Sequence, residues 1–287
     1  MDVYQIITNR IIELLEAGTI PWRKPWATSN ALPKNLISGK EYRGINVFLL
    51  GCQQYGSPYW LTYKQAQEKG GFIKQGQKSS MVVFWKLFDK QPQEDTDDKA
   101  SGKTAMLRYY NLFNLEQCEG IASPPIDTPT YSFTPIEKAE QIVSGYKDRP
   151  DISYGGNRAS YSPMNDSIRM PHDHRFEKSE EFYSVLFHEL GHSTGHQSRL
   201  ARKEVVERYE FGSEEYGSEV LVAELTASML TGVAGISNNT IELAASYING
   251  WLSLIKKDRK LIVTAAAQAQ KAADYILGNT HTGEEPA

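Results

Sequence analysis

The sequence predicts an α+β protein in two units, and three observations carry that prediction. The first is a charge division: of 287 residues, 1–120 hold 15 Lys+Arg against 12 Asp+Glu, whereas 121–287 hold 16 against 23. The second is EGIASPPIDTPTYSFTP, residues 119–135, which has four prolines and neither a helical nor an alternating period, as a linker would. The third is element order: two β-rich runs close the first unit, and in the second unit short strand-like runs precede helical ones. The expected domains are 1–120 and 135–287, joined by a linker at 121–134.

Val3, Ile7, Ile11 and Leu14 recur at helical spacing and predict a first helix over residues 2–17. Its acids Asp2, Glu13 and Glu16 depart from the basic-then-apolar layout of a secretion signal. No run has the apolar length needed to span a bilayer, and Cys52 and Cys118 form neither a disulfide framework nor a ligand pair. The expectation is a cytoplasmic protein with reduced thiols and no membrane partner. A loop rich in Pro and Trp follows, then a helix near 44–55 and a short one after Thr62. MVVFWKLF (81–88) and AMLRYYNLFNL (105–115) are β-rich and flank the polar DKQPQEDTDDK, which predicts a hairpin with a long loop. Beyond the linker the pattern predicts a helix over 135–147, strands at 151–154, 158–162 and 167–170, and helices over 178–195, 214–232 and 240–277.

The segment SEEFYSVLFHELGHSTGHQSRL carries His188-Glu189-Leu190-Gly191-His192, an H-E-x-x-H pattern. On a helix the two histidines lie one turn apart on one face, so both imidazoles can hold one zinc ion while Glu189 reaches the attacking water. Phe182, Val185, Leu186 and Phe187 make the preceding turns a buried helix, and Ser179 with Glu181 offers N-terminal capping. The plainer alternative is a pair of histidines packed in a core. A catalytic zinc needs a third protein ligand. Six residues after His192 stands Ser198, not the third histidine of a metzincin, although Gly195 matches the glycine of that subclass. The next helix offers Glu219 and Glu224. Glu224 sits among Leu221, Val222, Ala223, Leu225 and Ala227, where a lone carboxylate is costly, so it is the preferred ligand. Glu219 reads as a solvated acid near the helix start, and an ion pair from Glu224 to an arginine is the competing account. His196, the His172/His174 pair, Tyr209 and Tyr216 read as polar surface or as hydroxyls without an assigned role.

The first unit holds 16 aromatic residues, among them four of the five tryptophans. Several alternate with bases: Trp22, Arg23, Lys24 and Trp26 in PWRKPW, Tyr42 and Arg43 in KEYRG, Lys86 beside Trp85, and Arg108 with Tyr109 in RYYN. A cationic groove with aromatic faces suits single-stranded nucleic acid. Aromatics filling a small core with a solvated basic rim fit the composition as well.

Taken together, PWRKPW, KEYRGINVFLL, WLTYKQAQEKGG, KQGQKSSMVVFWK and YYNLFNLEQCEGI in the first half, and SYSPMNDSIRMP, FYSVLFHELGHSTGHQSRL and EVLVAELTASML in the second, resemble the ArdC family of antirestriction proteins from conjugative plasmids. The first half is similar to the domain shared with TraC-type plasmid primases, the second to a zincin-like metallopeptidase domain. The resemblance implies single-stranded DNA binding, a metallopeptidase fold, and protection of incoming plasmid DNA from host restriction. It places His188, Glu189 and His192 on the family's metal motif and Glu224 on its A-E-L element. Zinc, or another divalent ion such as manganese, is the implied cofactor. The implied protein partner is an unidentified substrate or restriction-system component, and Glu189 is the implied proton acceptor in peptide hydrolysis. The alternative reading is a DNA-coating protein whose metal site is structural or vestigial. A DNA-modifying metallohydrolase is disfavoured, because phosphodiester chemistry gathers several carboxylates around two metals.

Overall fold

The computed structural model describes residues 2–17, 20, 32–53, 55–89, 103–124, 135–207, 209, 213–236 and 245–280. Trp22, Arg23, Lys24, Trp26 and most of the expected linker lie outside the described residues, as does the side chain of Lys86. Helix α1 (Val3–Glu16) begins where the Asp2 carboxylate accepts from the Tyr4 amide. Then come β1 (Lys34–Asn35), α2 (Ile45–Gly51), β2 (Tyr59–Leu61), α3 (Tyr63–Glu68), β3 (Phe72–Ile73), β4 (Ser80–Asp89), β5 (Lys103–Asn114) and β6 (Cys118–Glu119). The second half contributes α4 (Pro135–Gly145), β7 (Asp151–Tyr154), β8 (Ser160–Ser162), β9 (Ser167–Met170), α5 (Ser179–Ser193), α6 (Lys203–Val206), α7 (Glu214–Ala234), α8 (Ala245–Lys257) and α9 (Leu261–Leu277). No helix among the described residues is long and apolar enough to cross a membrane.

The first half is built on a sheet of order β1-β2-β5-β4. Its long members pair antiparallel from Ser80↔Leu112 out to Asp89↔Lys103, the hairpin the polar loop predicts. Strands β1 and β2 were not expected, since two or three residues carry no readable period. The outer edge of β4 is closed by a side chain: the buried Asn46 amide donates to the Val83 carbonyl (2.7 Å) and accepts from the Val83 amide (2.8 Å). An edge strand thereby finds partners for groups that would otherwise be buried unpaired. Thr62 and Gln65 bond each other's backbone amides in a capping box, which starts the short helix α3 where expected.

In the second half a three-stranded sheet of order β7-β9-β8 packs on α5, and α7 runs between α5 and α9. Two local expectations are corrected. The helix expected over 240–277 is two helices, broken at 258–260, where the Asp258 carboxylate accepts from the Lys260 amide and starts a new turn. Ser179 does not cap α5; Lys178 holds the cap position without a side-chain bond, and Glu180 and Glu181 supply negative charge to the first turn.

One hydrophobic core runs through both halves. Ile7, Ile11 and Leu15 of α1 and Phe48 of α2 share it with Phe187 and Leu190 of α5, Leu221 and Leu225 of α7, Trp251 and Ile255 of α8 and Ala266 and Ala269 of α9. Polar contacts cross the same boundary: Thr8 Oγ1 donates to the Arg259 carbonyl (2.7 Å), and the Gln270 side chain accepts from the Gly44 amide (3.0 Å). A smaller cluster of Tyr42, Leu50, Trp60, Val82 and Leu112 fills the other face of the first sheet.

A polar clamp fixes the chain after α5. The buried Arg199 guanidinium donates to the Ser193 carbonyl (2.7 Å), the Asp148 carbonyl (3.0 Å) and both Asp166 oxygens, while the Tyr161 hydroxyl donates to Asp166 (2.8 Å). Burial works to raise the Asp166 carboxyl, but the bonds from Arg199 and Tyr161 outweigh it and hold it below its ordinary value. A depressed acid stabilises the fold above its unfolded pKa and loses that contribution as pH falls through the folded value. Asp166→Asn keeps a residue that tolerates the positive φ of this site and should cost about 1–3 kcal/mol at pH 7. In urea unfolding the gap to wild type should close below about pH 4; a gap that does not change with pH would show that charge is not its origin.

Candidate metal and nucleic-acid sites

Helix α5 turns Phe182, Leu186, Phe187 and Leu190 into the core and carries His188 and His192 toward α7. Gly191 sets how near the two helices come. A Cβ at that position would lie 3.2 Å from Ala223 Cα, the Ala223 carbonyl oxygen and Thr226 Cβ, so the glycine lets α5 rest on the backbone of α7. That contact brings both candidate carboxylates of α7 to the histidines. Glu224 lies 3.2 Å from His188 Nδ1, and Glu219 lies 3.1 Å from His192 Nδ1.

The two Nε2 atoms face each other at 3.2 Å. Lone pairs that close repel unless a proton or a cation lies between them. Two imidazole nitrogens on one tetrahedral zinc, each about 2.0–2.1 Å from it, stand about 3.3 Å apart, so this pair fits the bite of a single ion. Burial disfavours a charged His188, but the bond to Glu224 and the charges of Glu189, Glu224 and Glu219 outweigh it and raise its affinity for a positive charge. Among the described residues no three His, Cys, Asp or Glu side chains are already gathered as a ligand set.

Glu219 is not the solvated acid expected. It is buried, with one oxygen held by Arg202 Nε (2.8 Å) and the other by Arg202 Nη2 (2.6 Å). Burial raises its carboxyl, and the bonds from Arg202 and His192 more than reverse that. The arginine ion pair that competed for Glu224 exists, but on Glu219. Glu224 bonds only His188 among the described residues, through Oε2 on the Nδ1 side of the ring, so it stands behind that histidine and would turn about its side chain to reach an ion held between the two Nε2 atoms. Glu189 is 8 % exposed and makes no side-chain hydrogen bond among the described residues, although it lies near enough to His188 to act on its charge. A buried carboxylate without such a bond is costly unless the site uses it. His196 turns away to Ser198 Oγ (2.8 Å), and the Tyr209 hydroxyl donates to Glu207 (2.5 Å).

The aromatic and basic residues of the first half divide. Tyr42 is 2 % exposed, packed with Trp60 and Leu112 and bonded by Asn35 (3.2 Å), so it is core and offers no face to a base. Arg43 is turned to Asp274 on α9, where it joins the two halves. On β5, residues 108–111 are all exposed, which a half-buried strand does not allow, so both faces of the hairpin are open there. Tyr109 is 51 % exposed on one face and Tyr110 42 % exposed on the other, its ring 5.6 Å from that of Phe84. Arg108 faces outward with Tyr110. Of the residues the sequence puts forward there, the structure exposes Arg108 and Tyr109, and it exposes Tyr110 beside them.

Residues 1–113 match the family described as the N-terminal domain of anti-restriction factor ArdC, and residues 137–268 match the zincin-like metallopeptidase family. A DNA primase TraC of Escherichia coli is 34 % identical over 292 residues, which cover 96 % of this chain and 27 % of the primase. The chain thus spans about a quarter of that relative's length. An uncharacterized protein, y4eC of Sinorhizobium fredii, is 32 % identical over 286 residues, covering 96 % of this chain and 91 % of that one. The metal-free crystal structure of antirestriction protein ArdC from plasmid R388 superposes with a TM-score of 0.78 at 35 % identity, covering 97 % of this chain and 98 % of that one. Its Mn(II)-bound form gives 0.77 at 34 % identity, with 99 % and 100 % covered. With the HExxH helix in place and both halves matched along almost their whole length, the chain belongs to the ArdC family of antirestriction proteins.

Proposed function

We propose that this protein binds single-stranded DNA through its first half, carries a gluzincin-type metallopeptidase site in its second, and protects incoming conjugative DNA from host restriction. The observation that carries the peptidase reading is the facing pair of imidazole nitrogens at 3.2 Å beside the buried carboxylate of Glu189. His188, His192 and Glu224 would hold a divalent ion, zinc by donor type, with manganese supported by the Mn(II)-bound relative. When bound, such an ion polarises a peptide carbonyl and acidifies a water. Glu189 would accept a proton from the attacking water and return it to the leaving amine. On the other half, the open β4–β5 hairpin presents Arg108 and Tyr110 on one face and Tyr109 on the other, so a strand of DNA that wraps the hairpin meets ring faces for bases and a cation for phosphate.

Calorimetry with zinc and with manganese should give about one ion per chain, reduced in His192→Ala and in Glu224→Ala. Tyr109→Ala and Tyr110→Ala should each weaken binding of a fluorescent single-stranded oligonucleotide by about five- to a hundredfold, with a wild-type affinity that falls as salt rises. Unchanged affinity in the double variant would remove the hairpin from the DNA site, and a preference for duplex would overturn the single-strand reading.

A further inference from the structure

We propose that Arg202 is a positioning residue for the candidate metal centre, acting through Glu219 on His192; the inference rests on the divalent-metal reading of His188 and His192. Arg202 lies in the loop after α5 and is buried there with its whole guanidinium engaged. Nε and Nη2 fork onto the two Glu219 oxygens at 2.8 and 2.6 Å. Nη1 donates to Thr194 Oγ1 (2.6 Å), and Nη2 also reaches the carbonyls of Gly191 (2.8 Å) and His192 (3.4 Å). One rigid fork therefore holds both the carboxylate and the backbone of the histidine that the carboxylate serves.

The consequence is chemical. An ionised carboxylate only accepts, so with Glu219 Oε1 fixed 3.1 Å away, Nδ1 of His192 carries the hydrogen and Nε2 keeps its lone pair. That is the tautomer a metal ligand requires, and the carboxylate behind it also makes the ring a better donor. His188 has the equivalent contact from Glu224, and among the described residues no arginine holds that carboxylate.

The chain is shaped around this fork. A Cβ on Gly195 would lie 2.9 Å from Nη2 and 3.0 Å from Cζ of Arg202, and 2.5 Å from Val205 Cγ2, so the glycine leaves the space the guanidinium occupies. Stability alone is a weak reason to keep such a pair, because apolar replacements of a buried ion pair are often neutral or stabilising.

The test uses the full chain, calorimetry with zinc and with manganese, and nitrogen NMR of the histidine rings in metal-free protein. Arg202→Met should fold, bind either ion about 10–100-fold more weakly and lose the pure Nδ1–H form of His192. Glu219→Gln, close to isosteric, should weaken binding about tenfold and carries the test if Arg202→Met does not fold. Asp166→Asn serves as a destabilised control and should bind as wild type does. Wild-type affinity in folded Arg202→Met and in Glu219→Gln overturns the proposal, as does an equal loss in Asp166→Asn. A wild-type chain that takes up neither ion, or His188→Ala binding as tightly as wild type, overturns the metal reading instead; the His192 tautomer in the metal-free protein then still decides what Arg202 does.

Discussion

Glu189→Ala is expected to lower hydrolysis of an unfolded protein substrate such as casein by about a hundred- to ten-thousandfold, the usual range for loss of a general base. The same variant should keep its metal, its melting temperature and its affinity for single-stranded DNA. The reason is spatial: Glu189 makes no side-chain hydrogen bond among the described residues, so its removal leaves the pairing of His188 with Glu224 and of His192 with Glu219 in place, and Arg108, Tyr109 and Tyr110 lie on β5 of the first sheet, away from α5 in the chain. Activity equal to wild type would remove Glu189 from the chemistry. Protection in a conjugation assay at equal protein level then separates two mechanisms, since coating of DNA does not need Glu189 and cleavage of a host protein does. We expect protection to be retained at least in part, because a plasmid that enters single-stranded can be masked before its second strand is made. Protection no better than an empty vector would exclude masking.

Ile11→Ala should destabilise the whole chain, and not its first half alone, by about 2–5 kcal/mol. Ile11 is fully buried in the core shared by α1, α5, α7, α8 and α9, and α1 packs directly on α8, α9 and β5. By contrast, the exposed pairs Lys256–Glu16 and Arg259–Asp2 on the same boundary are each worth at most about 1 kcal/mol, so apolar burial decides the coupling. Hydrogen exchange gives the measurement: in Ile11→Ala the amides of Ala269 on α9 and Leu112 on β5 should lose protection together. Wild-type protection of α9 beside an opened β5 would mean that the halves unfold independently.

What could be read from the sequence was local. The HExxH helix, the strands at 151–154 and 167–170 and the long hairpin were legible because periodicity and turn chemistry act over a few residues. The break between α8 and α9 was not, since the charged run 256–260 holds no Gly or Pro, Ile255 and Ile262 keep two-turn helical spacing across it, and the turn at Asp258 is what divides the helices. Neither were β1 and β2, which are too short to show a period and exist because β5 has an edge to pair.

At the candidate metal centre, residue types and spacing put two histidines and the carboxylate between them on one helix, which sets their geometry. The tertiary structure alone decided the environment of the acids. Sequence presents Glu219 and Glu224 as two carboxylates on one helix, and nothing local says that a loop arginine will reach the first and not the second. The same holds for Tyr42 and Tyr109, equally aromatic and equally close to arginines, of which packing buries one and exposes the other. Burial and ion pairing join residues far apart in the chain, so their outcome is set by which surfaces meet, a property of the folded whole that no short stretch of sequence contains.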